Sequence, residues 1–355
     1  MNIYVLDGFK RIGIIESYQS VIWNVQYFGA GDLELTMAAT EENLSLIKVG
    51  SYLVRDFDNI ADGIYQNVMM VTGYNLDFDL DKGWIIKVFG KGLKNILSQR
   101  IIWNQTNLAG LTELAIRQVI NENAINPTDT KRKIPNLILE DTNGFTDTIE
   151  VQLFSENVAE WLEDICQTNG YGWDIYIKNN QFVFKLYKGT DRTYHQSTVT
   201  PVIFSPEYDN LLTSSYKYDK QSFKNSALIG GEGEGVNQRT IGIGEVSGLD
   251  RFETYIDGGS VSSNGEIITV EQYNEMLRQF GQTELDKVSV TQSFEGDIDA
   301  NGIYKINKDY FLGDLVQIEN DKGIKATARI TEIIYAEDES GMSVVPTFSE
   351  WEVER

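Results

Sequence analysis

The stretch from Gly50 to Phe89 returns, loosened, between Gly313 and Phe348, in the same order of strand, acidic turn, strand, acidic turn and strand. In the first copy, Val49-Gly50 opens a strand over Tyr52 to Phe57, an Asp58-Asn59 turn follows, then Val68 to Phe78, the turn Asp81-Lys82-Gly83 and Trp84 to Phe89. The second copy runs Leu312-Gly313, Leu315 to Ile318, Asn320 to Gly323, Ala326 to Tyr335, Glu339-Ser340-Gly341 and Met342 to Phe348. The marker glycines lie 33 residues apart in one copy and 28 in the other, a difference one surface loop absorbs at little entropic cost. The chain therefore reads as one barrel module used twice, which lets it meet a symmetric partner twice.

With 355 residues the chain exceeds a single core, and two to four compact units of roughly 100 to 150 residues or less are expected. The fold class expected is α+β, mainly β. The predicted division is a first β-barrel domain over 1–98, an outer α+β domain over 99–200, the first part of a second β-barrel over 201–245, an inserted loop and helix over 246–288, and the rest of the second barrel over 289–355. The N-terminal strands Ile3 to Leu6, Arg11 to Glu16, Val21 to Phe28 and Leu33 to Met37 alternate with Gly- and Asp-containing turns. A short helix is predicted at Glu41 to Ile47, and one or two helical turns at Gly92 to Leu97.

Further on the period changes. Leu108, Leu111, Ala115 and Val119 recur at helical spacing, with Thr106 or Asn107 as cap and Asn126-Pro127 as stop. A second helix is predicted with Ser155 as N-cap, Val158, Trp161, Leu162, Ile165 and Cys166 on one face, and Asn169-Gly170 at its end. Tyr171 to Ile177 and Phe182 to Tyr187 then form a hairpin about Asn179-Asn180. Beyond Pro201 the strands resume, and a third helix opens on the capping box Thr269-Val270-Glu271-Gln272, carrying Tyr273, Met276, Leu277 and Phe280 inward.

Composition limits the chemistry. A net charge of −23 repels nucleic-acid phosphates, so a sequence-reading nucleic-acid binder is excluded; the charge serves either solubility or a surface that nucleic acid passes without sticking. No apolar run approaches the roughly 20 residues of a membrane span, and the strand-like start Met1-Asn2-Ile3-Tyr4-Val5 has no leader character, which predicts a soluble product released in the cytoplasm. One cysteine leaves no intramolecular disulfide and no multi-cysteine metal site. His195 is the only histidine, with no nucleophile beside it, and Cys166 reads as a small core residue.

The run Gly230 to Gly235 lacks the ending of a phosphate loop and puts Glu232 and Glu234 where phosphate would sit. Gly242, Gly244 and Gly248 likewise miss dinucleotide spacing, and both stretches read as flexible acidic loops awaiting a partner. Asp297 to Gly302 begins like a calcium loop, yet Lys308 stands where the bidentate acid belongs, so it reads as a structural turn. Asp77, Asp79 and Asp81 read as a solvated acidic face. Trp161, Trp173 and Tyr273 are assigned to cores. No catalytic residue, cofactor site or metal site is assigned. The 53 acids supply glycosidase-like pairs in abundance, so spacing alone selects none.

Several short motifs in order, Gly29-Ala30-Gly31-Asp32-Leu33-Glu34-Leu35, Gly92 to Ile102, Tyr208 to Tyr216, Leu312-Gly313-Asp314-Leu315-Val316, and Ala328 to Ile333 through Pro346-Thr347-Phe348, resemble the siphovirus ReqiPepy-type tail protein family, which is similar to phage baseplate and tail hub proteins. The resemblance covers most of the chain and is weakest in the middle domain. It implies a homotrimer of pseudo-six-fold symmetry in the virion tail tip, assembled in the host cytoplasm and binding the distal tail or tail tube protein ring. It further implies the tape measure protein and a tail-tip lysin, fibre or receptor-binding protein as partners, with DNA passing through the channel without specific binding. No lysin module is expected after Arg355. The rival expectations are a tail-associated cell-wall hydrolase, with an acidic pair in a cleft beside the middle domain, and a carbohydrate-binding receptor module.

Overall fold

The computed structural model describes residues 1–353 apart from 62, 82, 264–267, 289, 296–298, 300–301 and 323–324. The first part holds β1 (Ile3–Asp7), β2 (Lys10–Ile15), β3 (Ser20–Gln26), β4 (Asp32–Ala38), α1 (Glu41–Leu46), β5 (Tyr52–Arg55), β6 (Asn59–Ala61), β7 (Ile64–Tyr65), β8 (Met69–Asp79) and β9 (Gly83–Gly92). The middle part holds β10 (Thr106–Leu111), α2 (Thr112–Ile120), β11 (Leu137–Leu139), β12 (Thr148–Leu153), α3 (Val158–Asn169), β13 (Gly172–Lys178) and β14 (Gln181–Tyr187). Two short strands, β15 (Asp191–Arg192) and β16 (Ile203–Phe204), lead to β17 (Ser215–Asp219). Then come β18 (Ser226–Gly230), β19 (Thr240–Ile243), β20 (Glu253–Asp257), α4 (Val270–Asp286), β21 (Thr291–Glu295), β22 (Leu315–Glu319), β23 (Lys325–Asp338) and β24 (Gly341–Val353).

The strands of the two ends form one sheet in the order β17-β21-β24-β23-β3-β4-β9-β8-β5-β1-β2, with β22 bound to β23 and carrying β15 and β16. Among the described residues no pairing closes either repeat into a barrel. The reason lies in β3, which pairs antiparallel with β23 from Ser20 opposite Asp338 to Gln26 opposite Glu332 and so fuses the copies edge to edge. Their inward residues make one core: Trp23, Leu35, Val71 and Val88 from the first copy pack with Val316, Ile330, Tyr335 and Phe348 from the second.

The middle part has its own core around Trp173, Phe184, Leu162 and Cys166. Its sheet order is β11-β14-β13-β7-β6, so the loop between β5 and β8 leaves the large sheet and joins this one. The hairpin β13–β14 turns at Asn179 and Asn180, both at positive φ, the backbone a two-residue turn of matching twist demands. Thr106–Leu111, predicted as the first turns of a helix, is strand β10, because its alternate residues pair with β12 and the helix starts only at Thr112. The cap of α3 is Asn157, whose side chain accepts from Ala159 N and Glu160 N; Ser155 sits two residues earlier at φ 64°. The capping box of α4 forms as its letters suggest.

The strands β18 and β19, given by the sequence reading to a second barrel, bond instead with β20 in a separate three-stranded sheet that α4 covers. Ile229, Ile243, Tyr273 and Leu277 form the core of this third unit. It stands between β17 and β21, which pair with each other as a hairpin.

Candidate functional site

The repeat extends to single atoms. Gly50 N donates to Val71 O at 2.8 Å and Val71 N to Ser51 O at 2.9 Å; Gly313 N donates to Ile330 O at 2.8 Å and Ile330 N to Asp314 O at 3.0 Å. Both glycines hold positive φ, 89° and 94°, where a side chain is strained. Just past these bonds each long strand bulges at a threonine, and each hydroxyl reaches the facing strand: Thr72 Oγ1 to Phe89 O, and Thr331 Oγ1 to Thr347 O. A shared bulge fixes the shared register.

That register equates β8 with β23 and β9 with β24, and it reaches further than the letters do. Leu33 faces Gly90 as Phe294 faces Phe348, and Trp23 faces Leu33 as Tyr216 faces Phe294. The hairpin β3–β4 thus corresponds to β17–β21, with the third unit inserted where the first copy has a turn.

The copies differ in what covers them. Residues 332–338 of β23 lie between β24 and β3, and Ile333 and Tyr335 are 2% and 3% exposed. Their counterparts on β8, Tyr74 and Leu76, are each 44% exposed, and Phe78 is 59% exposed. Among the described residues, β8 pairs only with β9 over residues 73–79; its pairing with β5 involves Met69 and Met70. Among the described residues β17 likewise pairs only with β21. Long apolar edges of this kind are liabilities unless something covers them.

On the sheet face opposite the core, alternation places Asp32 and Glu34 of β4, Lys87 and Lys91 of β9, and Gln26, Glu332 and Thr347 together. Lys87 Nζ meets Glu34 at 2.8 Å and Lys91 Nζ meets Asp32 at 3.7 Å, while Glu332 accepts from Gln26 Nε2 and Thr347 Oγ1. A face whose lysines are already matched to carboxylates gives a polyanion weak purchase.

The copies meet the middle unit at Tyr27 and Lys94. Tyr27 Oη accepts from Gly189 N and donates to Gly170 O, and its ring fills the space a β-carbon would need at Gly172 and Gly313. Lys94, fully buried, donates to the carbonyls of Gln26, Tyr27 and Gly29 at 2.6, 3.0 and 2.9 Å. Burial pulls its ammonium down to about 8, against the opposing pull of Asp174.

The residues weighed in the sequence for chemistry lie on separate elements. His195 is exposed in the segment after β15, and Cys166 is fully buried on α3, where burial pushes its thiol up. The Gly230 to Gly235 run is tied down within the chain: Glu232 accepts from Ser262 Oγ and Ser263 N, and its own N–H donates to Tyr273 Oη. Burial works against ionisation of Glu232, but these bonds outweigh it and lower its pKa. Asp77, Asp79 and Asp81 are exposed on the β8–β9 hairpin. The calcium-like turn at Asp297 to Gly302 lies mostly outside the described residues, and among those described no group of three or more His, Cys, Asp and Glu residues is placed to hold a metal. No helix among them is long and apolar enough to cross a membrane.

Sequence reasoning missed a cavity of about 420 Å³ between α3 and α4, lined by Ile149, Glu156, Trp161, Phe280, Glu284 and Lys287 among others. Lys287 spans it, meeting Asp164 at 2.8 Å and Glu284 at 3.0 Å. Burial raises the Glu156 carboxyl to about 7, Lys287 opposing and Asp164 and Glu284 adding.

A family model described as Siphovirus ReqiPepy6 Gp37-like protein matches residues 2–348. No curated protein matches the chain. Solved structures share the fold: the tail protein from Neisseria meningitidis MC58 aligns at TM-score 0.58 with 12% identity, over 98% of this chain and 96% of its own. The prophage MuSo2 tail protein from Shewanella oneidensis aligns at 0.57 with 16% identity, over 99% and 98%. The prophage tail protein gp18 from Listeria monocytogenes EGD-e aligns at 0.53 with 14% identity, over 99% and 94%.

Proposed function

The chain belongs to the Siphovirus ReqiPepy6 Gp37-like family, and from that premise we propose that it is a structural tail hub of a phage or phage-like particle. Three copies form a ring that joins the tail tube to the tip. Each copy supplies two tube-type β modules, so the ring offers six similar positions to a six-fold tube; one module per chain would leave alternate tube subunits unmatched. The observation that carries this reading is the internal repeat, down to Gly50 and Gly313, Val71 and Ile330, and Thr72 and Thr331. The sheet face with its ion-paired lysines lines the channel and lets DNA pass without adsorbing. The middle and inserted units stand outward, where tip proteins attach. The hub performs no catalysis.

The test is direct. Mass photometry at micromolar concentration, with negative-stain images, is expected to give a ring of three subunits; a monomer without rings overturns the proposal.

A wall hydrolase is the second reading, favoured by the cavity between α3 and α4, which gathers the carboxyls of Glu156, Asp164 and Glu284, the first shifted upward by its partial enclosure there. Fragments released from purified cell wall, and not released by Glu156→Gln, would replace the hub reading with this one.

A further inference from the structure

We infer that adjoining subunits are joined by β17 of one chain pairing antiparallel with the open edge of β8, residues 73–79, of the next. This deepens the ring reading and rests on it. Within a chain the copies are joined through β3 of the first and β23 of the second. By the repeat's register, the second copy's counterpart of β3 is β17 and the first copy's counterpart of β23 is β8. Among the described residues β17, and β8 over residues 73–79, carry no strand on their outer edges; the sheet's other terminal strand, β2, has no counterpart in the internal junction. A head-to-tail contact that repeats the internal one continues the sheet from chain to chain, and such heterologous contacts close when their rotation permits. The apolar side chains on that edge fit the same occupant, since Tyr74 and Leu76 are exposed where their counterparts Ile333 and Tyr335, beside β3, are buried.

The internal pairing also sets the register between chains. Ile333 faces Val25, Ile334 faces Asn24, and Tyr335 faces Trp23. Carried across the repeat, Tyr74 faces Tyr218, Asn75 faces Lys217 and Leu76 faces Tyr216 of the neighbouring copy. Tyr27 N donates to Thr331 O, which makes Tyr27 and Thr331 a hydrogen-bonded pair and Asn24 and Ile334 a non-hydrogen-bonded one. Asn75 and Lys217 inherit the latter geometry, with α-carbons about 4.5 Å apart, inside the range a disulfide bridges.

The experiment is the double variant Asn75→Cys with Lys217→Cys, oxidised and run without reductant. Covalent trimer is expected from it. Monomer is expected from each single variant and from Asp77→Cys with Lys217→Cys, a diagonal pair about 7–8 Å apart. Both sites are exposed, and unchanged melting of the reduced protein confirms folding. In a second variant, Leu76→Pro removes an outward amide on an edge strand that tolerates proline, and self-association is expected to weaken at least about tenfold. A trimer by mass photometry that does not cross-link, or that survives Leu76→Pro, overturns this interface and leaves the ring standing. A monomer that neither assembles nor cross-links overturns both.

Discussion

The two long hairpins, β8–β9 and β23–β24, share a bulge, a marker glycine and a threonine bond, yet one is a buried element and the other an exposed edge. The difference is made by β3. Where it lies alongside, Tyr335 packs against the Arg55 guanidinium at 4.0 Å and joins the common core; at the matching place on β8, Leu76 faces solvent. Backbone geometry is thus set locally by the repeat, whereas burial is set by which neighbour the topology supplies.

The largest contrast should come from that pair. At concentrations below assembly, Tyr335→Ala is expected to destabilise the chain by about 3–5 kcal/mol, as for other buried aromatics. Leu76→Ala is expected to stay within about 0.5 kcal/mol, as exposed sites do. Urea midpoints measure both, and equal losses would erase the distinction.

Next come the marker glycines. Gly313→Ala combines a positive φ with overlap on the Tyr27 ring and should cost about 3 kcal/mol, whereas Gly50→Ala, with open space around it, should cost only about 1 kcal/mol. A reversed order would show that the copies are not packed as described.

The smallest effect concerns Glu337, whose counterpart on β8 is Phe78. Burial works against its ionisation, but hydrogen bonds from the Met1 ammonium, at 2.7 Å, and from Tyr18 outweigh it and hold the carboxyl below its ordinary value. A lowered carboxyl pKa stabilises the fold above the unfolded value and loses that contribution as pH falls through the folded one. Glu337→Gln should therefore lower stability at pH 7 by less than about 1 kcal/mol, given its partial exposure, and the gap should close on acidification. Melting curves from neutral to acid pH measure it.

Much of this was legible in the letters. The repeat was visible because Gly50, Gly83, Gly313 and Gly341 all serve positive-φ turns, and only glycine meets that need without strain. The α4 capping box and the Asn179-Asn180 turn are equally local signals. What escaped were the partners. Ser20–Gln26 and Ser215–Asp219 share almost no letters although they fill the same place, and β18 reads like any other short strand, so pairing, which is decided by long-range contact, left no mark. Thr106–Leu111 carries both periods, and β12 decided it. The cavity beside Glu156 lies between helices far apart in sequence, with no motif to announce it.

The third unit, seated between β17 and β21, has a further consequence. In the ring proposed above it would decorate every second corner and never the others, so a component docking from outside could tell three corners from six. On that proposal, one loop replaced by a folded unit is the feature that would give a threefold tip its rotational setting on a sixfold tube.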